Sequence, residues 1–141
     1  MFAAKDVSSI FITMHVEEAQ VLFILLAADG AVNRMGTGAE DNDEKQLFIA
    51  QSSPDMFEAL KSKIQPETSQ WEGGYADPEP NGKTCQLTVG FMNSDGEESA
   101  CKFQYGSESQ GPPPDLCNLV MAAIEITDPW YEEQKQITSK E

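Results

Sequence analysis

Arginine is almost missing from this sequence. Of 141 residues only Arg34 is an arginine and only His15 a histidine, and nine lysines and arginines stand against 24 acids, for a formal net charge of −15. A surface this negative repels phosphate backbones, which argues against nucleic acid as a partner. An anionic membrane surface is disfavoured for the same reason. A basic protein partner is permitted, because complementary fields speed encounter.

A single histidine rules out a histidine-based metal cluster, and the His-x-x-x-His zinc pattern is absent. Cysteine is scarce too. Cys85, Cys101 and Cys117 are odd in number and lack CxxC spacing, which predicts reduced thiols rather than a disulfide framework. No apolar run nears the ~18 residues that a membrane helix needs; the longest is Val21 to Ala28. Lys5 and Asp6 precede no apolar leader segment with a small-residue cleavage site. A cytoplasmic protein is therefore expected.

The remainder is ordinary for a folded domain. Hydrophobic residues make 40% of the chain, with ten glycines besides, which together fall in the ~45–50% band of globular proteins. The length suits one domain over residues 1–141.

Residues 7–16 alternate, with Ile10, Ile12, Met14 and Val16 on one face and Phe11, Thr13 and His15 on the other, as in a half-buried strand. Val21 to Ala28 reads in two ways. As a helix, Val21, Ile24, Leu25 and Ala28 share a face and Gly30 follows the end. As a strand, the run is buried on both faces and Asp29-Gly30 makes a two-residue type I′ turn into Ala31–Met35. The strand is preferred, because the run is too evenly apolar for an amphipathic helix. That register sets Arg34 opposite Leu25, on the face of Phe23 and Ala27. A lone arginine among apolar residues needs an acidic or carbonyl partner, either to anchor the following Gly-Thr-Gly loop or to recognise a ligand carboxylate.

Gln46 to Ala50 reads as a short strand. Ser53, Pro54, Asp55 and Glu58 then open a helix in the order that capping and dipole favour, with Met56, Phe57, Leu60 and Ile64 as its apolar stripe. Residues 65–83 are irregular. A segment of that length is either functional or hides an edge strand. Cys85 to Phe91 and Cys101 to Tyr105 alternate around Asn93–Glu97. If Asn93 faces Glu97, the loop has three residues with Gly96 left-handed, Leu87 faces Phe103 and Val89 faces Cys101. Cys85 then lies too far from Cys101 to bridge. After Gly106–Pro114, Leu116, Leu119, Val120, Ala123 and Ile124 mark a helix. Thr127-Asp128-Pro129 reads as a restart, and residues from about 134 as a polar tail that frays.

The fold expected is α+β: an antiparallel sheet of about five or six strands, a mid-chain helix, and a C-terminal helix packed on one face.

Candidate sites are few. Glu40, Asp41, Asp43 and Glu44 resemble hard-cation ligands, but Lys45 and Gln46 occupy positions that an EF-hand gives to a ligand and a glycine. The phosphate-loop and nucleophile-elbow spacings fail as well. Neither a cofactor nor a catalytic set is implied. Arg34 and the aromatic pairs Trp71/Tyr75 and Trp130/Tyr131 remain as binding candidates, since such residues are enriched at interface hot spots; they also commonly seal a small core. Two functions follow. One is a non-catalytic acidic interaction protein that neutralises a basic partner, as immunity and antitoxin proteins do. The other is a small-molecule binder or enzyme with a pocket between residues 65–83 and the C-terminal helix.

Overall fold

The computed structural model describes residues 6–37, 46–64, 73–79, 81–108 and 111–139. Strands β1 (Val7–Val16), β2 (Ala19–Ala27), β3 (Ala31–Gly36) and β4 (Phe48–Gln51) precede helix α1 (Asp55–Lys61). Strands β5 (Gly73–Ala76), β6 (Thr84–Asn93) and β7 (Glu98–Gly106) precede helix α2 (Pro114–Ser139). The seven strands form one sheet in the order β4-β3-β2-β1-β6-β7-β5.

Two features differ from the expected antiparallel sheet of five or six strands. The sheet has seven strands, and β5 lies parallel to β7, from Gly73 opposite Cys101 to Ala76 opposite Gln104. β5 escapes a pattern search because all four of its residues are exposed, so no alternation marks it.

The alternating segments behave as their periodicity requires. In β1, Ile10 and Ile12 are fully buried. In the β6–β7 hairpin Asn93 N–H donates to Glu97 O at 3.0 Å, Gly96 has φ +84°, and Leu87 faces Phe103. The Asn93 side chain fixes this loop, its Oδ1 accepting from the N–H groups of Asp95 and Glu97 at 3.0 and 2.9 Å.

Residues 19–27 form a strand, but the β2–β3 register is one residue off the expected one. Leu25 faces Asn33, and Ile24 faces Arg34. Ala28 belongs to the loop, which therefore has three residues. Gly30 takes its last place at φ +95°, while Asp29 keeps a negative φ. Gly30 N–H closes on Ala27 O at 2.9 Å, and Asp29 Oδ1 accepts from Ala31 N–H at 3.0 Å. A one-residue slip moves every side chain to the other face. Arg34 thereby joins the core face of Ile24 and Leu26, not the face of Phe23 and Ala27.

Both helices cover that core face. Ile10, Ile12, Leu22, Ile24, Leu26, Val32, Leu87, Val89 and Phe91 pack with Phe57 and Leu60 of α1 and with Leu119, Val120 and Ala123 of α2. Burying an aliphatic side chain of this kind contributes about 1.5–3 kcal/mol. Helix α2 does not restart at Thr127. It runs through Pro129, and residues 134–139 are helical. Pro129 offers no N–H to the preceding turn, yet Thr127 two residues before it and Tyr131 two residues after it are both buried. No helix among the described residues is long and apolar enough to cross a membrane.

Candidate functional site

The strand pairing carries Arg34 into the core face, and α2 crosses above it. The guanidinium is fully buried, so its charge requires partners. Nε donates to Gly36 O at 2.9 Å. Nη1 donates to Thr127 Oγ1 at 2.8 Å and to Asp128 Oδ1 at 2.9 Å, with a longer contact of 3.4 Å to Ile124 O. Thr127 Oγ1 in turn donates to Ala123 O at 2.8 Å. Nη2 has no hydrogen-bond partner among the described residues.

Tyr131 completes this cluster. Its ring lies 4.4 Å below the Arg34 carbon Cζ, a cation–π contact strengthened by desolvation. Gly36 N–H donates to its hydroxyl at 3.1 Å, and Phe48 meets the ring edge-on at 5.7 Å. Lys135 Nζ is 4.6 Å from the same ring centroid. The arginine therefore ties β3 and its exit at Gly36 to the middle of α2.

The other candidates fall elsewhere. Trp130 packs against the main core. Tyr75 is on β5 at the far edge of the sheet, stacked on Phe103 with ring centroids 5.1 Å apart. Trp71 lies outside the described residues, as do the acids at 40, 41, 43 and 44. The structure brings Arg34 and Tyr131 together and leaves Tyr75 across the sheet from them.

Two hollows flank Tyr75. One, of about 370 Å³, is an open trough on the face away from the helices, where Gln86, Thr88, Lys102 and Gln104 line it together with Gly74. The other, of about 170 Å³, lies between Tyr75–Asp77 and Gly111–Pro112, over Phe103 and Tyr105. The second is smaller than the ~300–1,000 Å³ usual for ligand pockets. Beside it, burial pushes the Tyr105 phenol up to about 12, with further contributions from the Cys85 and Cys117 thiols. Burial, then Asp115, also raises the Cys117 thiol. A raised thiol is a weak nucleophile at neutral pH.

The acids are placed by topology. One end of the sheet gathers Asp6 before β1, Asp29 in the β2–β3 loop, Asp55 at the start of α1, Asp95 and Glu97 in the β6–β7 loop, and Glu98 at the head of β7, all exposed. The turns at this end carry no lysine or arginine among the described residues. The opposite end carries Glu17 and Glu18, Asp77, Glu79 and Glu108, with Lys83. Sequence reasoning found the excess of acid. It did not find this segregation, which depends on strand order. No group of three or more metal-ligating side chains occurs among the described residues.

No protein-family model and no curated protein matches the chain.

Proposed function

We propose that this chain is a non-catalytic acidic interaction protein that binds a basic protein, in the manner of immunity and antitoxin proteins. The observation that carries this reading is the end of the sheet where six exposed carboxylates sit in two turns and at the starts of β1, β7 and α1, with no lysine or arginine in those turns among the described residues. Such an array raises the local concentration of a cationic partner and speeds its docking. The same field repels nucleic acid and anionic lipid. The setting proposed is the cytoplasm, where reduced thiols persist, and none of the three cysteines is in a disulfide.

The test is affinity capture with the tagged chain at low salt, followed by elution at high salt. A basic protein released by salt, and no longer captured by Asp95→Lys/Glu97→Lys/Glu98→Lys, supports the reading. Capture that is indifferent to both salt and the triple substitution overturns it. A second reading rests on the cleft between Tyr75–Asp77 and Gly111–Pro112. It is a small-molecule site, and it predicts a ligand-induced rise in melting temperature that Tyr75→Ala abolishes.

A further inference from the structure

The face of the sheet opposite the helices divides into two halves. Cross-strand register aligns Ile49, Asn33, Leu25, Phe11, Gly90 and Ala100 in one row. The next row on one side runs Met35, Phe23, Thr13, Thr88, Lys102. On the other side, Ala27, Ser9 and Met92 end at Glu98, and Ala31 pairs with Gln51. The β4-β3-β2-β1 half thus gathers Ile49, Leu25, Phe11, Phe23 and Met35, with the uncharged Asn33, Thr13 and Ser9 among them, whereas Lys102 lies on the β6-β7 half. Phe11, Phe23 and Leu25 are partly exposed, and Ile49 is 68% exposed. In the floor of this half-face the ring of Phe11 lies over Gly90, where any Cβ would collide with it. Contiguous exposed apolar surface of this kind marks interaction sites.

Acids close both ends of the floor. Glu17 and Glu18 form the β1–β2 turn at one end, and Asp29 and Glu98 stand at the other. A second copy of this chain would bring like-charged rims together. A peptide strand laid on a sheet face would leave its backbone groups unpaired, because ladder partners exist only at the edges. A helix satisfies its own backbone. β1 has ten residues, roughly 30 Å at ~3.3 Å each, which matches a helix of roughly 20 residues at 1.5 Å each.

We infer that this apolar half-face docks an amphipathic helix of the basic partner, its apolar stripe on Phe11, Phe23 and Leu25 and its lysines or arginines reaching the acids at the two ends. The inference rests on the basic-partner reading above and adds the surface and the shape of what binds there.

The test uses a synthetic 18-residue helical peptide with leucines at i, i+3, i+4 and i+7 and lysines in its first and last turns. Two controls replace the leucines by serine or the lysines by glutamate. Fluorescence anisotropy at low salt should show binding of the leucine–lysine peptide. Affinity should fall at least tenfold for either control. It should fall equally for Phe23→Thr/Leu25→Thr, with circular dichroism and melting temperature kept. If that pair unfolds, Ile49→Thr, at an edge position, serves instead. Equal binding of the serine control, or of a folded floor variant, overturns the docking floor and leaves the basic-partner reading standing. Failure of every lysine-bearing peptide overturns both. A dimer seen by light scattering and abolished by the floor variant would assign the face to a second copy and overturn the inference.

Discussion

The Arg34 guanidinium rests 4.4 Å from the ring centre of Tyr131, while both residues hold the backbone of Gly36, Arg34 by its carbonyl and Tyr131 by its N–H. A strand end and a helix middle are thereby clamped by one buried cation and one phenol. Asp128, the acid of the clamp, is 48% exposed, so its pairing is screened and the arginine depends mainly on its other contacts.

Arg34→Lys should therefore destabilise the fold by about 2 kcal/mol or more. Lysine lacks the planar fork and cannot reproduce the Nε bond and the stacking together. Asp128→Asn should cost no more than about 1 kcal/mol, in the range of surface pairs. Urea denaturation of both variants checks the order. An equal loss from the two would mean that the salt bridge, not the clamp, supplies the stability.

Gly30 and Gly96 both have positive φ, but only Gly30 is hemmed in. A Cβ there would strike Ser52 O, whereas nothing lies near a Cβ at Gly96. Gly96→Ala should cost about 1 kcal/mol from left-handed strain alone. Gly30→Ala should cost clearly more, because the bond from Ser52 N–H to Gly30 O at 2.8 Å must also give way. Melting temperatures of the two variants, measured side by side, test this.

Thiol counting in denaturant without reductant should give three per chain, since no cysteine is in a disulfide. In the native state Cys117 is the exposed one, yet its thiol is pushed up by burial of the sulfur and by Asp115. Iodoacetamide should label it more slowly at neutral pH than it labels the unfolded chain, and Asp115→Asn should speed the reaction. A native rate equal to the unfolded one would refute this.

Tyr105 makes stability fall at high pH. Its phenol ionises near 10 when unfolded and at about 12 when folded, so between those values the native state holds the proton more tightly. Its contribution is complete below about 10 and is lost as pH climbs to about 12. Tyr105→Phe should flatten that part of the stability profile and remove one tyrosinate step from the ultraviolet titration. An unchanged profile would show that another group controls the alkaline limb.

The β6–β7 hairpin was legible in the sequence to the residue, because Asn93, Gly96 and the flanking alternation all agree on one register. The β2–β3 hairpin was not. Asp-Gly satisfies a two-residue turn as readily as the end of a three-residue loop, and both flanking strands are apolar enough to tolerate either face. The clamp was half legible: a lone arginine in an apolar strand demands acceptors, but Thr127-Asp128-Pro129 also fits a helix start, and local capping chemistry hid its distant role. The length of residues 65–83 allowed for an edge strand, but nothing in Gly73–Ala76 fixes its place, since its pairing is set by β7 and not by its own side chains.

The central position of β1 has a consequence for the order of assembly. β1 pairs with β2 right after synthesis of a short turn, but its other edge must wait for β6, with Val16 meeting Cys85 and Val7 meeting Asn93. At ~5–20 residues per second on the ribosome, the roughly 70 intervening residues leave that edge open for several seconds. If β1 to β4 pair before β6 emerges, they leave an unpaired Ile10-Phe11-Ile12 border, a template for strand addition between chains. Fast translation, or early engagement of a chaperone, would favour the soluble product, and a chain stopped before β6 would be the species most prone to aggregate.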